Sequence, residues 1–103
     1  MDSGRVAIII SGEIEKKIGA DDHGNITVKE VHECFENHCG RYAYEQHPQH
    51  KNDLGQATPW FVADTNHGRT LKIMFVRRGG DVFLKSAYPA TDKVQRIYAR
   101  FAK

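Results

Sequence analysis

The sequence is poor in the residues that staple chains or anchor them in membranes. Only two of its 103 residues are cysteines, Cys34 and Cys39. That is too few for the disulfide framework of a small secreted domain, so reduced thiols and a cytoplasmic setting are expected. Long apolar runs are missing as well. The longest, Val6-Ala7-Ile8-Ile9-Ile10, gives way at once to a charged segment. It is far below the roughly 20 residues a membrane-spanning helix needs, so neither a span nor a signal peptide is expected. There is no internal repeat and no low-complexity stretch. A chain of this length is read as one domain, residues 1–103, able to bury one modest core.

Net charge is also scarce, at +2, but it is unevenly placed. The chain is acidic to neutral through Asp53, whereas Thr65–Lys103 carries nine of the fifteen Lys and Arg against Asp81 and Asp92 alone. Clustered cations point to an anionic partner, nucleic acid first, although a soluble surface can carry the same charges with no ligand.

What is present reads as alternating local signals. Residues 5–10 are β-branched and apolar, either a short strand or the lead-in to a helix. Ser11 is an N-cap for a helix with Ile14 and Ile18 on one face, and Gly19 ends it. Thr27 and Glu30 form a T-x-x-E capping box, which starts a helix near Val28. Val28, Val31, Cys34 and Phe35 supply its apolar stripe, and Gly40 stops it. Arg41–Glu45 alternates as a first strand, with Tyr42 and Tyr44 directed outward. His47–Pro59 is a long polar loop. Three strands follow, Trp60–Asp64, Thr70–Arg77 and Val82–Ser86, joined by turns at Asn66-His67-Gly68 and Arg78-Gly79-Gly80. Pro89 ends the last of them, and Thr91 caps a helix whose Val94, Ile97, Tyr98 and Phe101 recur at helical spacing. The expected fold is α+β: N-terminal helices packed on one side of a twisted antiparallel sheet of about four strands, with a C-terminal helix.

Several residues carry chemistry on this scheme. Arg69, Lys72 and Lys85 lie on or beside the strands, and convergence on one concave face would hold a phosphate and stabilise developing charge. Arg77 adds a further cation. His23 and His67 sit in turns, and imidazole is the side-chain type suited to serve as acid or base in RNA cleavage. His32, Cys34, His38, Cys39, His47 and His50 are zinc-ligand types, but their spacing does not suit one ion. His32 and Cys34 point to different faces of a helix, and adjacent His38 and Cys39 seldom share a metal. No metal or other cofactor is expected.

The run GRTLKIMFVRRGGDVFLKSAYPATDKVQRIY resembles the C-terminal half of BrnT-type toxins of bacterial type II toxin–antitoxin systems. In these a G-R opens an apolar strand, a glycine or charged hairpin follows, and an I-S-A-R strand end precedes an E-R-x-x-Y helix. HGNITVKEVHECF is similar to the family's H-G-V-S-F-E-E-A-x-x-x-F, and the likeness covers roughly residues 13–101. It implies a RelE-like fold and a small ribonuclease that cleaves RNA without metal and is neutralised by an antitoxin. By position it implies a catalytic set of His23, Arg69 and the residue after Ser86-Ala87, with Tyr98 as the helix tyrosine. Lys51 falls where a basic loop residue is found. Where the toxins carry arginine after S-A this chain has Tyr88, which removes a bidentate phosphate donor and leaves a phenol that donates a proton or stacks. The sequence therefore supports two functions. One is a toxin-like ribonuclease with RNA and an antitoxin as partners. The other is a non-catalytic module whose basic face binds nucleic acid or a nucleoprotein complex, including an inhibitor of such a complex.

Overall fold

The computed structural model describes residues 7–45 and 57–103. The elements run β1 (Ile8–Ile9), α1 (Gly12–Ile18), a 3-10 turn (Asp21–His23), α2 (Val28–Asn37), β2 (Ala43–Tyr44), β3 (Pro59–Asp64), β4 (Thr70–Arg78), β5 (Asp81–Pro89) and α3 (Asp92–Phe101). This is an α+β fold. Among the described residues no helix is long and apolar enough to cross a membrane. The polar loop expected at 47–59 lies outside the described residues as far as 56, and Lys51, His47 and His50 lie outside with it.

The helix starts follow local chemistry. The Ser11 hydroxyl accepts the Ile14 N–H at 3.2 Å, and the Thr91 hydroxyl accepts the Val94 N–H at 3.2 Å. Thr27 and Glu30 close the full capping box, each side chain accepting the other's backbone N–H at 3.1 and 3.0 Å. Helix α2 stops at Asn37, before Gly40, with His38 already in extended backbone.

The sheet corrects the expected four antiparallel strands. It has five, in the order β1-β5-β4-β3-β2, and it is mixed, because β1 runs parallel to β5. Ile8–Ile9 thus contribute an edge strand, Ile8 opposite Val82 and Ile9 opposite Phe83. Strand β5 also continues past Ser86 to Pro89, which opposes Leu71; proline is tolerated there as a terminal strand residue. A register shift sets Met74 opposite Ser86 but Phe75 opposite Leu84, so Lys85 has no cross-strand partner.

The helices are not all on one side. Phe61 meets Phe35 of α2 with ring centroids 5.0 Å apart, while its neighbour Trp60 meets Tyr98 of α3 at 5.8 Å. Adjacent strand residues point to opposite faces, so α2 and α3 cover opposite faces of the sheet. The cause is visible in the strands. Leu71, Ile73 and Phe75 fill one face, but Trp60 and Met74 make the other face apolar too, and each of these is at most 4% exposed.

One cluster of polar contacts ties the helical half to the sheet. Arg69, just before β4, donates through Nη1 to Glu30 Oε1 and Oε2 at 3.2 and 3.3 Å and to the Asn25 carbonyl at 3.5 Å. Its Nη2 donates to the Gly24 carbonyl. Gly24 has φ +96°, and a Cβ there would stand 2.6 Å from Pro89 Cγ and 2.8 Å from Arg69 Nη2. Only glycine fits this junction, both for its backbone and for its space. Burial by itself would push the Glu30 carboxyl up, but the Thr27 N–H and the Arg69 guanidinium outweigh it and hold the group below its ordinary value.

Arg69→Ala should lower stability in urea by about 1–3 kcal/mol, a range that already allows for solvent screening of a partly exposed pair. Arg69→Lys should recover less than half, since an ammonium does not span the three acceptors. Because the Glu30 carboxyl is depressed in the fold, its contribution is present above the ordinary value of 4.5 and is lost as pH falls through the lower folded value. The gap in urea midpoint between wild type and Glu30→Gln should therefore be widest above pH 4.5 and close on acidification. A gap that stays constant across that range would show that Glu30 contributes no charge-dependent stability.

Candidate functional site

The residues singled out in the sequence fall in three separate places. His23, Arg69 and Tyr88 do come together at the corner where the 3-10 turn meets the end of β5. The His23 and Tyr88 rings stack with centroids 4.9 Å apart and planes 25° apart. His23 Nδ1 also lies 3.3 Å from Asp22 Oδ1. Arg69 is adjacent through Gly24, but its guanidinium is spent on Glu30 and on two backbone carbonyls. His67 is exposed in the β3–β4 turn.

The expected convergence of Arg69, Lys72 and Lys85 does not occur. Lys72 alternates out of phase with Arg69 along β4 and projects to the α3 side. There its Nζ lies 4.5 Å from the Trp60 ring centroid and donates to Glu45 Oε1 at 2.8 Å. Its side chain is only 15% exposed, so its charge is neutralised inside the fold. Lys85 is exposed at the β5 irregularity. Arg77 stands at the far end of β4, about 26 Å from Arg69 at the usual strand rise.

Arg77 organises the third place, which the sequence pattern only half revealed. Its guanidinium carbon lies 5.3 Å from the Tyr42 ring centroid and 5.7 Å from that of Phe75. Tyr42, expected to point outward, is half-buried instead, with Phe61 at 6.2 Å and Phe75 at 5.6 Å between centroids. His38 joins this aromatic group, its ring 4.6 Å from Phe61 and 5.5 Å from Tyr42. Two clefts adjoin here. One, of about 530 Å³, is lined by Phe35, Glu36, His38, Tyr42, Phe75 and Arg77 among others. The other, of about 490 Å³, shares Tyr42, Phe75 and Arg77 and adds Tyr44, Pro59 and Val76. Arg77, with Tyr42 and Phe75, is thus a common wall of two adjoining aromatic-lined clefts.

The chemistry of this place is set by burial and charge. Burial, and then the Arg77 charge, push the His38 imidazole below its ordinary value, which keeps it neutral at physiological pH. Its Nδ1 accepts the Gly40 N–H at 2.9 Å, so the neutral ring carries its proton on Nε2. The site therefore offers a permanent cation, flat aromatic faces, one neutral imidazole donor and the Glu36 carboxylate.

The two cysteines have different fates. Cys34 is buried in the core, its thiol pushed up to about 12 by burial and by the Glu30, Asp64 and Glu33 charges, and its Sγ donates to the Ala63 carbonyl at 3.6 Å. Cys39 is exposed, and its Sγ lies 3.4 Å from the Tyr98 hydroxyl. Contact with that hydroxyl, then with the Arg41 backbone, lowers the Cys39 thiol. Tyr98, matched above to a toxin helix tyrosine, is 9% exposed and donates to the Arg41 carbonyl at 2.7 Å. Burial and the Cys39 contact push its hydroxyl far up, so it remains a neutral donor. Among the described residues no three His, Cys, Asp or Glu side chains are grouped to hold a metal ion.

No family model, curated protein or solved structure matches this chain.

Brief iodoacetamide treatment at neutral pH should add one alkyl group, on Cys39, with Cys34 modified only after denaturation. Mass spectrometry of the peptides reads both outcomes, and equal rates at the two cysteines would contradict the assignment.

Proposed function

We propose that the protein is a non-catalytic binding module that takes single-stranded nucleic acid on the aromatic depression around Arg77. The observation that carries this reading is the Arg77 guanidinium poised over Tyr42 and Phe75 between two clefts. Bases stack on aromatic faces and on guanidinium planes, and the phosphates between them need cations. Arg77 and Arg78 are exposed at the end of β4 and supply these. The neutral His38 Nε2–H and the Glu36 carboxylate add a donor and an acceptor for base edges. Arg69 and Lys72, by contrast, are engaged with Glu30 and Glu45.

Labelled single-stranded RNA followed by fluorescence anisotropy tests this. A contact with two or three phosphates lowers affinity by about 7- to 18-fold between ~50 and ~200 mM salt. Arg77→Ala should abolish most of the binding, Arg69→Met should leave it intact in the folded fraction, and the RNA should be recovered at full length. Binding that is indifferent to salt or to Arg77 would refute the proposal.

A second reading, the metal-independent ribonuclease implied by the resemblance to BrnT-type toxins, is favoured by the His23–Tyr88 stack. That stack sets an imidazole, its side chain 16% exposed, beside the phenol of Tyr88, a residue 37% exposed. Shortened RNA after incubation with a chelator, produced by wild type but not by His23→Ala or Tyr88→Phe, would establish it over the first reading.

A further inference from the structure

The outer side of α3 carries apolar side chains that the fold leaves uncovered. Ile97 is 37% and Phe101 60% exposed, one helical turn apart on the same stripe. Beside them a groove of about 530 Å³ runs between the helix and strands β2 and β3, with Tyr42, Ala43, Trp60, Ile97, Phe101 and Lys103 in its lining. Lys103 is the one charged side chain among the lining residues. Trp60 is 4% exposed, and its indole Nε1–H has no acceptor among the described residues. A buried indole donor normally finds a partner.

The rim of this groove has one sign. Lys93 and Arg100 are the i−4 and i+3 neighbours of Ile97 and so flank it, and Arg96 lies beside them. Arg41 lies across the end of the helix, donating to the Ala99 and Ala102 carbonyls at 3.4 and 2.8 Å. The only acid on α3 is Asp92, in its first turn. Glu45, on the strand side, is paired with Lys72. An apolar trough edged by cations selects a ligand with apolar anchors and flanking carboxylates.

We infer that this groove docks an acidic amphipathic segment of a partner protein. Its apolar residues fill the trough against Ile97, Phe101 and the exposed edge of Trp60, and its carboxylates meet Lys93, Arg96, Arg100 and Lys103. Nucleic acid fits less well, because Trp60, the largest ring in the lining, is only 4% exposed, and Lys103 is the one cation within the lining itself. A second copy of this chain would bring a like-charged rim against its own. Tyr42 and Tyr44 line both this groove and the Arg77 depression, but Arg77, Phe75 and His38 do not line the groove, so the inference stands whether or not the depression binds nucleic acid.

Selection of displayed random peptides on the full chain tests this, with Phe101→Asp and Arg100→Glu as parallel baits checked for native circular dichroism. Both substitutions are at exposed positions, so the fold should be retained. Wild type should enrich peptides that combine Asp and Glu with apolar residues at helical spacing, and the variants should not. The strongest synthetic peptide should change the emission of the chain's single tryptophan. Its affinity should fall by about tenfold or more with Phe101→Ala, as for an anchor residue, and be unchanged with Arg77→Ala. Enrichment of basic or uncharged peptides, enrichment that survives Phe101→Asp, or no enrichment over the variants would overturn the inference. So would displacement of the peptide by oligothymidine, or self-association in sedimentation that Phe101→Asp abolishes.

Discussion

The Arg69 guanidinium is the constraint on which the arrangement of the two halves depends. Helices α1 and α2 are too short to hold their positions through intrinsic propensity, and most of their stability comes from packing. Arg69 fixes where α2 and the turn before it meet the sheet. It grips the Glu30 carboxylate at the start of α2 and the carbonyls of Gly24 and Asn25 in the preceding turn, and these are the groups that set where α2 begins. The Glu30 carboxylate also caps Thr27, so one anion closes the helix start and joins it to the sheet. The stack of His23 on Tyr88 follows from this junction, since the turn carrying His23 is held against β5 by the neighbouring Gly24.

A sheet with two apolar faces imposes the second constraint. Trp60 and Met74 on one side, and Phe61, Ile73 and Phe75 on the other, require cover on both. Helix α3 meets this need with a narrow stripe. Tyr98 is buried and hydrogen-bonded to Arg41, while Ile97 and Phe101 on the same helix stay outside. The burial of Lys72 belongs to the same face. Its ammonium is accommodated only because Trp60 offers a ring and Glu45 a carboxylate.

The parts of this fold legible in the sequence are those set by neighbours along the chain. Ser11, Thr27 with Glu30, and Thr91 each announce a helix start within four residues, and all three caps form. The glycine turns around Gly68 and Gly79-Gly80 likewise place the hairpins. What escaped was set at a distance. Nothing local in Val6–Ile10 specifies parallel pairing with Val82–Phe83, and nothing local in Arg69 shows that its partner is Glu30. The side on which α3 packs was recorded in the strands, in the alternation of Trp60 with Phe61 and of Met74 with Phe75, but only once both faces are counted as apolar. The meeting of His23 with Tyr88 came from the resemblance to BrnT-type toxins and not from any spacing, and Tyr42 gave no sign that it would turn inward beneath Arg77.

Whether a cation serves the fold or a ligand depends on what already neutralises it. Arg69 and Lys72, which looked best placed for phosphate in the sequence, each have a carboxylate within 3.2 Å. Their charges are committed, and drawing either one onto a phosphate would strand a partly buried glutamate. Arg77 differs. Among the described residues it has no ion pair, and it lies near the Tyr42 and Phe75 rings, contacts that leave its charge uncompensated. An arginine already resting against two rings gives up less conformational freedom when an anion arrives than one free in solvent. The same reasoning separates the corner at His23 from the depression at Arg77. The corner has a stacked imidazole and phenol but no uncommitted cation, whereas the depression has the cation and the stacking surface but no such pair. That division of groups is why the proposed reading places binding at the depression.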